Sequence, residues 1–220
     1  MKACISAVVF DMDGVIFDTE RIVLEAWEIL GRRHNFERVD EVLKECLGLN
    51  AQAVEGTFKK AYGKNFPYKK YMKENLELYF GPLYGKHFPI KKGAVEFLNV
   101  LKENNVPIAL ASSTQYSFVK KELSDANLIQ FFDKLICGDM VKRSKPEPDI
   151  FLTACDELNV LPSECYVIED SFNGIRAAYK AGLRPIMVPD LAEPTREMYE
   201  LSECVCDSLF DVMEYMGFCI

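Results

Sequence analysis

The spacing of hydrophobic and polar positions along this chain changes twice. Residues 5–10 form an apolar run that predicts a buried strand. Residues from about 17 to 87 show apolar side chains at helical spacing and no convincing strand. From about residue 89, predicted helices alternate with short apolar strands. This alternation indicates an α/β fold with a parallel sheet and helices on both faces.

The first strand has no strand partner close to it in sequence, so the helical segment is best explained as an insertion after that strand. We expect a core domain made of residues 1–16 and 88–220, and an inserted helical domain of residues 17–87. The elements predicted for the second part of the core are helices over Gly93–Asn104, Ser117–Asn127, Pro148–Leu158, Phe172–Ala181 and Ser208–Met216, and strands over Val106–Ala111, Lys134–Cys137, Cys165–Ile168 and Arg184–Val188.

Composition narrows the class of protein. The chain has 220 residues, of which 49% are hydrophobic and 27% charged, as expected for a globular protein whose core needs no disulfide or structural metal. The net charge of −8 disfavours nucleic acid as a partner. No apolar run approaches the length of a membrane span, and the first strand begins too close to Met1 to leave room for a signal peptide.

Cysteine and histidine usage argues against a zinc centre. The eight cysteines include no Cys-x-x-Cys pair, and the chain has only two histidines. We interpret the cysteines as reduced thiols, which predicts a cytoplasmic protein. His34 is expected at an exposed helix end, and His87 is expected to be a structural residue near the end of the insertion.

An acidic pair, Asp11 and Asp13, follows the first strand and precedes Gly14. One interpretation is a plain turn, since Asp and Gly commonly end strands. A calcium loop of the EF-hand type is excluded, because it needs glycine at its sixth position and Glu at its twelfth, where this chain has Ile22. Two carboxylates at the end of a buried strand are costly unless a cation binds there, which makes the pair a candidate site.

Polar residues also follow two later strands, and a lysine lies in a loop before a helix. Taken one at a time, these residues could be helix caps or solvated surface groups. Together they gather carboxylates, hydroxyls and a lysine at the carboxyl edge of one sheet, where open α/β folds bind ligands. Carboxylates suit Mg²⁺, and lysine and serine suit phosphate oxygens. The clusters are Ser112-Ser113-Thr114, Ser144–Asp149 with Lys145, and Glu169-Asp170-Ser171.

These motifs, in this order, resemble those of the haloacid dehalogenase-like hydrolase superfamily. The likeness rests on Asp11–Val15, on Ser112 after an apolar strand, on Lys145–Asp149, and on Glu169-Asp170 within a segment that ends at Gly174. The resemblance implies a Rossmann-like core with an inserted α-helical cap domain of the subclass I type. It also implies phosphoryl transfer through an aspartyl-phosphate, with Mg²⁺ as the cofactor.

The resemblance assigns a role to each matching residue. It makes Asp11 the nucleophile and a magnesium ligand, and Asp13 the general acid and base with a backbone carbonyl that ligates the metal. Ser112, Ser113 and Lys145 would hold the phosphoryl group. The acidic pair Glu169 and Asp170 would complete the metal site. Asn173 and Gly174 would shape the adjacent turn.

Within the superfamily the chain most resembles the β-phosphoglucomutase and sugar-phosphatase branch. Two positions depart from the mutases of that branch, since Val23 replaces a histidine and Ala51 replaces an arginine of the cap. We therefore expect a magnesium-dependent phosphatase that acts on a small phosphorylated metabolite such as a sugar phosphate, as a monomer or weak dimer. A phosphosugar mutase is the alternative, and a catalytically silent binding module is a third hypothesis.

Overall fold

A computed structural model of the chain describes residues 5–46, 51–79, 81 and 88–218, apart from the side chains of residues 20, 51 and 52. The chain separates into two compact units. One consists of Met1–Asp18 with Phe88–Ile220, and the other consists of Thr19–His87. Among the described residues, no helix combines the length and the apolar character that crossing a bilayer requires.

The first unit contains a parallel sheet of six strands in the order β3-β2-β1-β4-β5-β6. All neighbouring strands pair in parallel, with registers such as Val9 opposite Ala109 and Phe10 opposite Ile168. The α/β class expected from the sequence is therefore confirmed. The strands are β1 Ala7–Phe10, β2 Ile108–Ser112, β3 Lys134–Cys137, β4 Cys165–Glu169, β5 Arg184–Met187 and β6 Cys204–Val205.

Helices pack on this sheet because their apolar faces are buried against it. One cluster of fully buried residues joins β1 and β4 with Phe151 and Ala154, which belong to the helix between β3 and β4. Ser208 accepts a hydrogen bond from the backbone amide of Asp211 and caps the last helix. The helices of this unit are α5 Ala94–Glu103, α6 Tyr116–Asp125, α7 Asp149–Leu158, α8 Phe172–Lys180, α9 Arg196–Leu201 and α10 Leu209–Met216.

The second unit is helical in the residues described. Its core is rich in aromatic side chains, with Trp27 and Phe58 in contact at a ring distance of 4.5 Å. His34 ends the first helix but is not exposed as expected, because it stacks on Tyr71 and contacts Glu74 at 2.7 Å. His87 lies outside the described residues. The helices are α1 Thr19–His34, α2 Val39–Cys46, α3 Ala51–Tyr62 and α4 Tyr68–Tyr79.

The two segments that flank the helical unit run side by side within the sheet unit. The amide of Asp18 donates to the carbonyl of Pro89 at 2.9 Å, and the amide of Lys91 donates to Ile16 at 2.9 Å. Lys91 then forms an ion pair of 2.6 Å with Asp190, in the loop after β5. The second oxygen of Asp190 is buried without a hydrogen-bond partner. The entrance and exit of the insertion are thus fixed to the core at neighbouring points.

Candidate active site

Three adjacent strands carry the predicted polar residues to one edge of the sheet. β1 lies between β2 and β4, so that Asp11 follows the central strand while Ser112 and Glu169 end its two neighbours. Parallel strands bring their carboxyl ends to the same side, which is why residues far apart in sequence meet here. Asp11, Ser112, Glu169 and Asp170 are all buried.

Lys145 lies at the centre of this group. Its ammonium donates to Oδ1 of Asp11 at 2.5 Å, to Oε1 of Glu169 at 2.8 Å and to the carbonyl of Ala111 at 2.9 Å. The side chain is only 7% exposed. Three acceptors thus use the three donors of the ammonium group, whose nitrogen also lies 5.0 Å from the centroid of the Phe151 ring. The position of this nitrogen is fixed from several directions.

The loop that delivers Lys145 is held at its two ends by Arg143 and Asp149. The guanidinium of Arg143 donates to both carboxylate oxygens of Asp149, at distances from 2.8 to 3.1 Å. The pair is largely exposed on the arginine side, so its effect on stability is small. Its geometric effect is to close the loop around the lysine.

Glu169 is fixed as firmly as Lys145. While Oε1 accepts from the lysine, Oε2 accepts from the backbone amide and the hydroxyl of Ser171, at 2.7 and 2.8 Å. The same hydroxyl accepts from the amide of Gly174 and caps α8. A Cβ atom at Gly174 would lie 1.7 Å from Oε1 of Glu169. Only glycine fits at that position while Glu169 keeps its place.

Asp11, Glu169 and Asp170 form a cluster that could hold a metal ion. Each offers a carboxylate oxygen, and these oxygens lie within 4.8 Å of one another. Gly14 adopts a φ of +81° beside Asp170, where a Cβ would lie 2.2 Å from Oδ2. When all three carboxylates are ionised, they and the one ammonium group leave two negative charges in a buried region. A hard divalent cation such as Mg²⁺ matches both the oxygen donors and that charge.

Asp13 and the hydroxyls after β2 form the second part of the site. Oδ2 of Asp13 accepts from the hydroxyl of Thr114 at 3.1 Å, and the hydroxyl of Ser112 accepts from the amide of Thr114 at 3.0 Å. Ser112 is fully buried, whereas Ser113 is exposed and contributes a carbonyl that lies against Gly138. Thr114 thus orients both an acid and a hydroxyl.

The electrostatics of Asp11 and Lys145 follow from their burial. Burial raises the pKa of Asp11 to about 8 when only the protein groups are present. The positive charge of Lys145 opposes this shift, whereas the negative charges of Glu169 and Asp13 add to it. For Lys145, burial favours the neutral amine, but attraction to Asp11 and Glu169 outweighs it and raises the pKa above its ordinary value. The lysine therefore stays charged at neutral pH, and the aspartate needs a further cation to ionise fully.

Sequence reasoning did not assign roles to Thr114, Ser171 or Arg143. Thr114 and Ser171 belong to the same polar clusters as predicted site residues, and this position in the sequence could have indicated that they contribute to the site. The contact between Arg143 and Asp149 depends on how the loop folds, and no spacing rule predicts it.

A family model and a curated relative each match most of the chain. The family model of the haloacid dehalogenase-like hydrolases matches residues 8–188. A phosphorylated carbohydrates phosphatase from Thermotoga maritima is 33% identical over 185 residues, which cover 82% of this chain and 83% of that protein.

Two solved structures are similar over nearly the whole chain. A HAD family hydrolase from Deinococcus radiodurans R1, with bound phosphate and sodium, has a TM-score of 0.81 at 25% identity and covers 98% of this chain and 96% of its own. A β-phosphoglucomutase from Clostridium difficile has a TM-score of 0.71 at 25% identity, with 96% of each chain covered. Both a hydrolase and a mutase therefore share this architecture.

Proposed function

The chain belongs to the haloacid dehalogenase-like hydrolase family, and on that premise we propose that it is a magnesium-dependent phosphatase of small phosphorylated metabolites such as sugar phosphates. One observation carries the proposal: three buried carboxylates surround a space beside a buried, charged lysine. A site with carboxylates alone would repel a phosphate ester. The combination of oxygen ligands and a fixed ammonium suits a cation and a phosphoryl group together.

In the proposed first step, a carboxylate oxygen of Asp11 attacks phosphorus and the bond to the leaving oxygen breaks. Asp13, whose carboxylate is oriented by Thr114, gives its proton to that oxygen. Lys145 and Ser112 bind the oxygens of the transferred group, with Ser113 beside them. Mg²⁺, when bound, supplies positive charge that offsets the repulsion between the phosphate and Asp11.

In the proposed second step, Asp13 takes a proton from water, and that water attacks the aspartyl-phosphate. Phosphate leaves and Asp11 is regenerated. Asp11, the backbone carbonyl of Asp13, Asp170 and Glu169 would hold the metal. Glu169 already accepts three hydrogen bonds, so we assign it the further role of fixing Lys145.

Val23 favours hydrolysis over the mutase alternative. It packs with the hydrophobic core of the helical unit, and a valine offers no proton or positive charge to a second phosphate. The side chain of Ala51 lies outside the described residues. We also propose that residues 17–87 act as a cap that selects the substrate, and that the protein works in the cytoplasm as a monomer or weak dimer, without nucleic acid or membrane partners.

The experiment is Mg²⁺-dependent phosphate release from a panel of phosphorylated sugars, nucleotides and small acids. Asp11→Asn keeps the shape of the side chain but removes the nucleophile, so we expect a loss of about 10³-fold or more. Asp156→Asn makes the same change on the exposed face of α7 and should leave the rate unchanged.

Three results would contradict the proposal. Phosphate release that survives Asp11→Asn would exclude the aspartyl-phosphate route. Conversion of a hexose phosphate to its isomer, with little phosphate released, would identify a mutase. Absence of both activities across the panel, with Mg²⁺ bound, would favour the silent binding module.

A further inference from the structure

Strand β6, at the edge of the sheet, begins with Cys204 and is followed directly by Cys206, and the proposed reaction uses neither cysteine. The sulfur atoms of Cys204 and Cys206 lie 3.4 Å apart. Cys206 is 6% exposed, whereas Cys204 is half-buried. The two sulfurs are in contact, and Cys204 is the more exposed of the two residues.

The backbone explains why these side chains meet. Residues two apart in a strand point to the same face, and the rise of a strand separates their Cα atoms by about 6.6 Å. Pairing of Cys204 with Ile186, and a 2.9 Å hydrogen bond from the amide of Cys206 to Met187, keep the segment extended. That separation is near the upper end of the range for disulfides. A disulfide here is therefore possible, but it would be strained.

The other described cysteines lack this combination of contact and access. Cys46, Cys137, Cys155 and Cys165 are buried, and among the cysteines that the structure describes Cys204 is the one that is not. Cys155 and Cys165 interact with each other as well, but they are 1% and 0% exposed within the core of the sheet unit. A reagent in solution would reach Cys204 first.

We propose that Cys204 and Cys206 form a thiol–disulfide exchange site for low-molecular-mass disulfides such as oxidised glutathione. The thiolate of Cys204 attacks one sulfur of the small disulfide, the bond between its sulfurs breaks, and one glutathione thiolate leaves with the electron pair. Cys206 loses its proton to solvent and attacks the Cys204 sulfur, which expels the second glutathione. Overall, two protein thiols are oxidised and one glutathione disulfide is reduced to two thiols.

The order of the two steps follows from the surroundings of each sulfur. Burial, and then the neighbouring Cys204, raise the pKa of Cys206 to about 12, so this thiol is a poor first nucleophile. Once Cys204 carries a mixed disulfide, however, Cys206 is already beside the sulfur it must attack. Proximity then compensates for its low thiolate fraction. The strained product should be reduced again easily, as is typical of reversible redox sites.

The test is to incubate the full-length reduced protein with defined ratios of oxidised to reduced glutathione, and then to alkylate the remaining thiols. Cleavage after glutamate releases residues 204–214, which contain Cys204 and Cys206 and no other cysteine. We expect this peptide to lack two hydrogens and to resist alkylation in oxidising buffers. Reduced glutathione should restore both alkylation sites.

Two serine variants test the order of steps. In Cys206→Ser, the mixed disulfide should persist on Cys204, because the thiol that resolves it is missing. In Cys204→Ser, Cys206 should stay reduced over the same time. The proposal is wrong if the parent peptide is alkylated twice at every ratio, or if it keeps bound glutathione without closing. Equal reactivity of the two variants would overturn the order. The result in the parent protein does not depend on either variant folding.

Discussion

Lys145 donates a hydrogen bond of 2.5 Å to Asp11 across a separation of 134 residues in the sequence. Both side chains are more than nine-tenths buried, and the same ammonium also bonds Glu169. A buried charge is tolerated only when it is paired, so each of these groups depends on the others. These buried contacts should therefore contribute to the stability of the fold as well as to the proposed reaction.

Replacement of this lysine should damage stability as well as activity. Lys145→Met leaves the buried carboxylate of Glu169 without its cation and removes a hydrogen-bond donor from Asp11. Breaking a buried pair costs about 3–5 kcal/mol. Urea denaturation in the presence of a chelator should show that loss. Added Mg²⁺ should recover part of it, because the cation compensates the same carboxylates.

Lys142→Met is the matched control, since Lys142 is exposed three residues earlier in the chain. It should change the free energy of unfolding by less than about 0.5 kcal/mol. Adding Glu169→Gln to Lys145→Met should partly restore stability, because one uncompensated charge is removed. A Lys145→Met variant as stable as the parent would show that Lys145 and Glu169 do not form a stabilising ion pair in the fold.

Gly174→Ala should disrupt the acidic cluster through a single methyl group. The new Cβ would lie 1.7 Å from Oε1 of Glu169, which Lys145 and Ser171 hold in place. Glu169 must then move, and we expect Mg²⁺ affinity to fall at least tenfold by calorimetry. Gly56→Ala is the control, because nothing lies within 4 Å of a Cβ there. In the helix α3 it should stabilise by up to about 1 kcal/mol.

Mg²⁺ affinity should increase with pH and level off above about 8. Because burial raises the pKa of Asp11 to about 8, a metal that binds below that pH must displace a proton. Below about pH 8, the binding constant for Mg²⁺ should increase by close to tenfold per pH unit. Calorimetry in buffers of different ionisation enthalpy should detect the released proton. Affinity that is constant from pH 6 to 8 would contradict this mechanism.

The same raised pKa has an effect on the metal-free fold. Between about pH 4 and pH 8 the folded chain keeps a proton on Asp11 that the unfolded chain has released. The stability of the metal-free protein should therefore decrease as pH rises through that window. Asp11→Asn, which has no proton to lose, should reduce that slope in urea denaturation at several pH values.

Lys91→Met should destabilise the sheet unit by about 1–3 kcal/mol. Asp190 already has one buried oxygen without a partner, and this change would remove the 2.6 Å ion pair from the other. Lys92→Met, at the exposed next position, should have little effect. If the two variants unfold at the same temperature, the ion pair does not anchor this segment.

The sequence predicted the longer helices and strands, whose apolar residues recur at regular spacing, and the polar residues at the ends of strands. Strand β3 has the bounds expected, and Asp11, Lys145 and Glu169 meet as their positions at strand ends and in the following loop suggested. Periodicity fails for short elements. β6 has two residues and α9 has six, too few for either spacing to be recognised.

Contacts set by tertiary packing could not be predicted either. His34 lies among Arg32, Arg33 and Asn35 in the sequence, which suggested exposure. Glu74 and Tyr71 of another helix nevertheless contact its ring. The hydrogen bond from Thr114 to Asp13 likewise requires the relative position of two loops. The spacing of residues in the sequence indicates which residue types lie at the edge of the sheet. The contacts between particular side chains are known only from the folded structure.

The paired segments at residues 16–18 and 89–91 make the helical unit a replaceable part of the chain. The segments at its two ends are hydrogen-bonded to each other, so the whole insertion is a closed loop between β1 and β2. Loop-closure entropy grows slowly, by about 0.6 kcal/mol for each doubling of length. Segments of very different size could therefore be grafted at this point, and the sheet with its carboxylates would keep its register.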